Sequence, residues 1–265
     1  LTASNAAGTS VAIERTFLVG YDMPDAPANI KLTDNGDLTT TVTWDAPELG
    51  INGKAYDASK VTYNVVRYPD KVKVATGLTE RTFTESHGAD YSYYFYAVYS
   101  CSDGLEIKGE RSNTVVVGAP LTPPYGGIFT TADAMFNYYT ILDENHDGYT
   151  WSHDSSSGAA VYPYNYQLGA DDWFISPGLS LEAKKNYALT FSTFSSNENF
   201  PEALKVMFGH GKDPEEFDYE LLDLPEVPTI DEENRIATYT LPVTITNSGT
   251  YFYGFYAYSP AYSEY

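Results

Sequence analysis

Apolar and polar side chains alternate with a period of two over most of this chain, so the elements it predicts are strands rather than helices. Leu38, Thr40, Val42 and Trp44 alternate ahead of the breaker Asp45-Ala46-Pro47, and Val61, Tyr63 and Val65 repeat the pattern. Tyr91, Tyr93, Phe95, Ala97 and Tyr99 make the longest run, and Val115 and Val117 end the series. Alternate side chains of a strand share one face, so Trp44 and the tyrosine stripe from Tyr91 to Tyr99 are expected to point into a core. The segments Asn186–Phe194, Leu204–Phe208 and Thr250–Tyr258 alternate in the same way, each with one face predicted to be buried.

Glycine and proline punctuate this pattern at the scale of modules. Gly8 and the stretch Arg15–Gly20 recur in kind at Gly104 and Ser112–Gly118. Each copy runs into a proline-bearing joint, Met23-Pro24-Asp25-Ala26-Pro27 in one case and Pro120-Leu121-Thr122-Pro123-Pro124 in the other. Such repetition predicts residues 1–22 as the last strands of one β-module, 23–120 as a complete second, and 121–265 as a third. Short proline-rich joints are stiff, so a fixed arrangement of modules is expected. The Gly50–Ser59 insert, with Asn52-Gly53, predicts a turn-rich hairpin extension.

At 265 residues the chain can build two domains with proper cores plus a remnant. Its 25 tyrosines and 13 phenylalanines suit pleated, half-buried surfaces. Fifteen basic against 36 acidic residues give a net charge of −21, with no Lys/Arg cluster, which makes anionic membrane surfaces poor partners and argues for no nucleic-acid partner. Cations, neutral sugars and basic partners remain compatible, as does a plain solvated surface. Cys101 is the only cysteine, so no intrachain disulfide can form, a usage more bacterial than animal for an extracellular β-protein. No apolar stretch is long enough to span a bilayer.

Three places carry candidate chemistry. Asp143, Asn145 and Asp147 alternate before Gly148, with Asp154 at the twelfth position, as in a calcium loop that converges carboxylate and carbonyl oxygens. The flanks Phe136–Leu142 and Tyr149–Trp151 read as strands, which argues against an EF-hand. The same residues also make an Asp/Asn-Gly turn whose side chains bond their own backbone. Asp171, Asp172 and Glu202 are alternative candidate ligands, since two adjacent acids beside Trp173 need a compensating partner. Tyr162, Tyr164 and Tyr166, with Trp151 and Trp173, are a candidate sugar-stacking platform, although sheet packing explains their spacing as well. Asp213–Glu233 holds ten acidic residues and no basic one, and is expected to be a solvated connection between strands. No nucleophile elbow, phosphate loop or His-Glu-x-x-His is present, so no enzyme is expected within these residues.

The strand Thr41-Val42-Thr43-Trp44-Asp45-Ala46-Pro47 and the strand Tyr91-x-Tyr93-x-Phe95-x-Ala97 resemble fibronectin type III domains. The resemblance implies an immunoglobulin-like sandwich over 23–120 with Trp44 in the core and Tyr91 as a backbone-bonding corner. Farther along, Asp143–Trp151, Ala170–Pro177 and Phe200-Pro201-Glu202 resemble the choice-of-anchor J and cleaved-adhesin domains, jelly rolls related to the MAM type in surface proteins of the Bacteroides group. This second resemblance implies a jelly-roll-like β-sandwich over 121–265, structural calcium, a non-catalytic role and a closing strand beyond Tyr265. The fold expected is therefore all-β, a fibronectin type III sandwich followed by a jelly-roll-like one. The function expected is adhesion or ligand binding, to a glycan or a protein, outside the cell or on the outer surface of a Gram-negative bacterium. The alternative is an accessory region of a secreted protease or glycoside hydrolase whose catalytic domain lies outside these residues.

Overall fold

The computed structural model describes residues 2–14, 20–126, 129, 136–163, 165, 167–196, 199–230 and 236–261. The chain is all-β: among the described residues the helical turns are three short 3-10 segments and the rest of the regular structure is strand. None of their helices is long and apolar enough to cross a membrane. Two compact units are present, one of Leu1–Asn35, Thr40–Glu85 and Tyr94–Thr114, the other of Gly36–Thr39, Ser86–Tyr93 and Val115–Tyr265. At the N-terminus Ser4–Asn5 pairs with Gly8–Thr9, while Arg15–Val19, half of the sequence repeat, lies outside the described residues.

The first unit packs two antiparallel sheets. Ala28–Asp34, Thr39–Asp45 and Thr82–Ser86 form one; Val61–Tyr68 between Val72–Leu78 and Ser92–Ser102, with Leu105–Arg111 also on Ser92–Ser102, forms the other. Trp44 is 4% exposed and meets Tyr63 edge-on at 5.4 Å, which joins the sheets as its sequence position predicted. The Ser92–Ser102 strand corrects the expected parity. Tyr96, Val98 and Ser100 are the fully buried residues, at 1%, 0% and 0% exposure. Phe95 and Tyr99 instead belong to the other face, where Tyr68 stacks on Phe95 at 4.6 Å, the Arg111 guanidinium sits 4.1 Å over the same ring, and Tyr99 packs against Gly109. Tyr91, the expected corner, accepts the Gly178 amide hydrogen through its hydroxyl at 3.2 Å.

Burying Tyr96 draws a polar network after it. Its hydroxyl donates to Glu85 Oε2 at 2.6 Å and lies 3.2 Å from Thr40 Oγ1; Glu85 in turn pairs with Arg67, whose other amine reaches Asp70 at 2.6 Å. Burial, then the Glu85 hydrogen bond, pushes the Tyr96 phenol above its usual range, so it stays a donor. The Gly50–Ser59 insert is a turn as expected. Gly53 adopts φ +70°, and the Asp22 carboxylate collects the Asn52 amide at 2.8 Å and the Lys54 amide at 3.3 Å.

The second unit is built on a large sheet ordered Thr140–Asp143, Asp172–Ile175, Gly249–Ala257, Leu204–Gly209, Tyr219–Leu224, with Leu179–Leu181 also on Gly249–Ala257. All four residues of Asp172–Ile175 are buried, so both faces of the sheet carry a core. On one face Trp173, Ile175, Phe217 and Phe252 cluster, and Gly254 is needed there because a Cβ would come within 3.0 Å of the Trp173 and Phe217 rings. On the other face Leu179, Leu181, Tyr251 and Tyr253 meet Val243 and Ile245. That face is covered by the antiparallel pair of Asn186–Thr193 and Ala237–Thr244, a two-stranded sheet whose strands are separated along the chain by Leu204–Gly209 and Tyr219–Leu224.

Two expectations need revision here. Phe136–Tyr138 is a 3-10 turn and only Thr140–Asp143 of that flank is strand, while the other flank becomes strand at Ser152–Asp154. The acidic stretch is more than a connection, because Tyr219–Leu224 pairs with Leu204–Gly209 and places Glu220 and Asp223 around Lys205 at 2.8 and 3.6 Å. Alternation there was masked by the charges on its outer face. Asp231–Arg235 and Tyr262–Tyr265, next to the expected closing strand, lie outside the described residues.

Removing the Tyr96 hydroxyl leaves the partly buried Glu85 carboxylate one donor short. Tyr96→Phe should therefore cost the first unit about 2 kcal/mol, measured by urea unfolding followed through Trp44 fluorescence. A loss below about 0.5 kcal/mol would show that water replaces the donor.

Candidate functional site

The loop after Thr140–Asp143 closes on itself. Asp143 accepts the amides of Asp147 and Gly148 at 3.2 and 3.0 Å, Asn145 Oδ1 accepts the Asp147 amide at 3.1 Å, and Asp147 Oδ1 accepts the Tyr149 amide at 2.7 Å. Asn145 Nδ2 donates to the Gly169 carbonyl at 2.8 Å and ties the loop to its neighbour. His146 and Gly148, at φ +57° and +81°, supply the left-handed residues the turn needs. Asp154 forms a separate turn, with the Ser157 and Ser156 hydroxyls holding its pKa down to about 2.

The other candidate ligands lie apart from this turn in their bonding. The Asp171 carbonyl accepts the Glu144 amide at 3.0 Å, but its carboxylate takes the Tyr256 hydroxyl at 3.0 Å. Glu202 accepts the Ser259 hydroxyl. Among the described residues no three His, Cys, Asp or Glu side chains are placed to hold a metal ion. Two carboxylates and an amide fall short of the six to eight oxygens calcium takes, so the loop as folded does not fit the ion by itself.

Asp172 is the unusual carboxylate. It is 0% exposed, opposite Asp143 in the strand pair. Its Oδ2 accepts the Tyr162 hydroxyl at 2.8 Å and the Asp171 amide at 3.2 Å. Oδ1 and the Thr150 hydroxyl are both buried without a bond of ordinary geometry, although Thr150 is near enough to help hold the carboxylate's charge. Burial dominates and raises the Asp172 pKa.

The aromatic platform is not assembled as expected. Trp173 is 7% exposed, sandwiched by Phe217 at 5.0 Å and Tyr256 at 4.6 Å, so it has no face for a sugar. Tyr162 is half-buried, its ring edge-on to Trp151 at 5.7 Å. Tyr164 and Tyr166 lie outside the described residues.

The sequence reading missed the centre of the site, Phe174. Period two turns its ring away from Trp173, and there it meets Tyr139 face-on at 4.2 Å, Phe136 at 5.2 Å, Trp151 at 5.5 Å and Phe129 at 5.8 Å. Beside this cluster opens a cleft of about 850 Å³ within the second unit. Tyr139, Trp151 and Phe174 wall it on one side; Tyr187, Leu189 and Phe191 of the covering strand pair wall it on the other, and Tyr253 and Phe255 also line it. None of its described lining residues is Asp, Glu, Lys, Arg or His. The only prior signal was the Tyr187, Leu189, Phe191 alternation, which marks a buried face without naming what it faces.

No family model matches the chain. Solved structures similar to parts of it include an Fn3-like protein from Clostridium thermocellum, at 23% identity and TM-score 0.27 over 38% of this chain and 97% of that one. The K1 and K3 cleaved adhesin domains of Lys-gingipain from Porphyromonas gingivalis each share 18% identity over 46% of this chain, covering 81% and 82% of theirs at TM-scores 0.32 and 0.34. At those TM-scores the likenesses carry no argument about ligands or partners.

Asp172 gives the site a pH signature. Its folded pKa lies above the unfolded value, so the folded state holds the proton more tightly, and its contribution to stability falls as pH rises from the ordinary carboxylate range through the raised value. Asp172→Asn cannot ionise. Its melting temperature relative to the wild-type protein should improve as pH rises above the ordinary carboxylate range of about 4; a difference that stays constant with pH would contradict the assignment.

Proposed function

We propose that the chain is a non-catalytic binding and spacing segment of a secreted or surface-exposed protein, in which the second unit binds and the first spaces. The observation that carries this reading is the aromatic cleft around Phe174: ligand sites are concave, mostly apolar and a few hundred to about 1,000 Å³ in volume. Among the described lining residues the cleft offers rings and no charged side chain, so its ligand is neutral. The first unit contributes a closed core and surface ion pairs.

Structural calcium at Asp143, Asn145 and Asp147 is a separate proposal, favoured by the unpaired, buried Asp172 Oδ1 on the strand opposite Asp143. A melting temperature that rises with millimolar calcium and falls back with chelator supports it. An unchanged melt in both removes it.

A cleft-filling substitution tests the main reading. Maltoheptaose, chitohexaose and Nile red form a panel of uncharged probes; at least one should raise the melting temperature of the wild-type second unit and lose that effect in Leu189→Trp. If none of the three shifts the wild-type protein, the cleft is not a binding site.

A further inference from the structure

Resting on the reading of the cleft as a binding site, we propose that its ligand is an uncharged apolar small molecule, a hydrocarbon chain or fused-ring body, and not a sugar. A sugar site requires polar groups that converge on the ligand's hydroxyls alongside the stacking rings. Most of the polar side chains lining this cleft are already committed or buried. Ser176 donates to the Pro177 carbonyl at 2.9 Å and accepts the Tyr253 amide at 2.9 Å. Thr190 pairs with Thr240 at 3.1 Å, and Ser192 with Thr238 at 2.8 Å, rung to rung across the covering strand pair. The Tyr187 hydroxyl accepts the Glu182 amide at 3.1 Å, and the Tyr125 hydroxyl is buried beside that of Tyr139 without a hydrogen bond of ordinary geometry.

A carbohydrate entering this space would shed water from its hydroxyls and find few free partners, a loss of about 1–3 kcal/mol for each group left unpaired. An apolar body meets the opposite balance. Tyr187, Leu189 and Phe191 are only half-buried in the absence of a ligand, so covering them removes apolar surface from water. The walls are also rigid where contact matters: Tyr139 stacks parallel on Phe174 with an interplanar angle of 9°, and Phe191 meets Phe255 edge-on at 5.3 Å. Charge decides the remaining choice. A chain of net charge −21 repels anions, and a cation would find no carboxylate among the described lining residues.

Nile red is the probe, titrated into the whole chain. Its emission should rise, shift to the blue and saturate at one molecule per chain. Leu189→Trp and Ala160→Phe, which fill the cleft from opposite walls, should bind at least about tenfold more weakly while keeping the wild-type melting transition. Displacement by 1-decanol from the unmodified protein gives a readout that needs no variant. Non-saturating emission, no displacement by 1-decanol, or equal affinity in a folded variant overturns the proposal, as does uptake only in phosphatidylcholine vesicles. Maltoheptaose binding that Leu189→Trp abolishes, without Nile red binding, would keep the cleft as a site and overturn its apolar class; failure of both probes overturns the site as well.

Discussion

The parallel stack of Tyr139 on Phe174 is the contact on which the second unit turns. Phe174 belongs to a strand buried on both faces, and successive side chains of a strand cannot share a face. Once Trp173 and Ile175 fill the core against Phe217 and Phe252, Phe174 and Asp172 must point the other way. The rings of Phe136, Tyr139 and Trp151 close over Phe174, each pair adding about 0.5–1.5 kcal/mol beyond its buried area. One parity thus fixes a core on one side and the floor of the cleft on the other.

The same parity buries Asp172, and much of the surrounding polar structure answers that cost. The Tyr162 hydroxyl and Asp171 amide supply donors to one oxygen, and the Trp151 indole donates to the Asp172 carbonyl at 3.3 Å. Trp151 therefore joins the carboxylate's surroundings to the aromatic cluster. Tyr162 also lies 3.2 Å from the Tyr149 carbonyl, which anchors the far end of the Asp143–Gly148 turn. A turn whose own carboxylates cap its own amides, and which Asn145 and Glu144 tie to Gly169 and Asp171, presents a fixed flank to the site.

What the sequence made legible follows from what alternation can and cannot encode. Trp44, Val42 and Tyr63 stood in strands with one apolar parity, and they are core. Ser92–Ser102 is aromatic or aliphatic at both parities over Tyr93–Tyr99, so the pattern announces a strand and leaves the inward face undetermined; the buried choice went to Tyr96 because Glu85 and Thr40 offer its hydroxyl partners. Trp173 and Phe174 posed the same ambiguity one residue apart. The larger ring drew attention as a platform, yet the smaller one faces the open space. The cleft itself joins residues from Tyr125 to Phe255, and no local pattern records such a convergence. The turn at Asp143–Gly148 was readable because the bonds from its own amides to its own side chains are local, spanning at most five residues.

An unfilled space of this size is a cost the fold must carry. Atoms lining a void forgo dispersion contacts, and mutationally opened cavities cost about 24 cal/mol per Å³ in well-packed cores. The cleft escapes the full penalty because it is open to solvent, as the half-buried Leu189 and Phe191 show. On one side it is walled by the Asn186–Thr193 and Ala237–Thr244 strand pair, which rests on the large sheet through Phe191 on Phe255 and through Tyr187, Leu189 and Val243 against the cluster of Leu179, Leu181 and Tyr253. Occupation of the cleft would add contacts to that strand pair in the folded state alone. Binding energy and the stability of the second unit are then one quantity, rising as RT ln(1 + [L]/Kd), and the strand pair is the element through which a ligand would make itself felt.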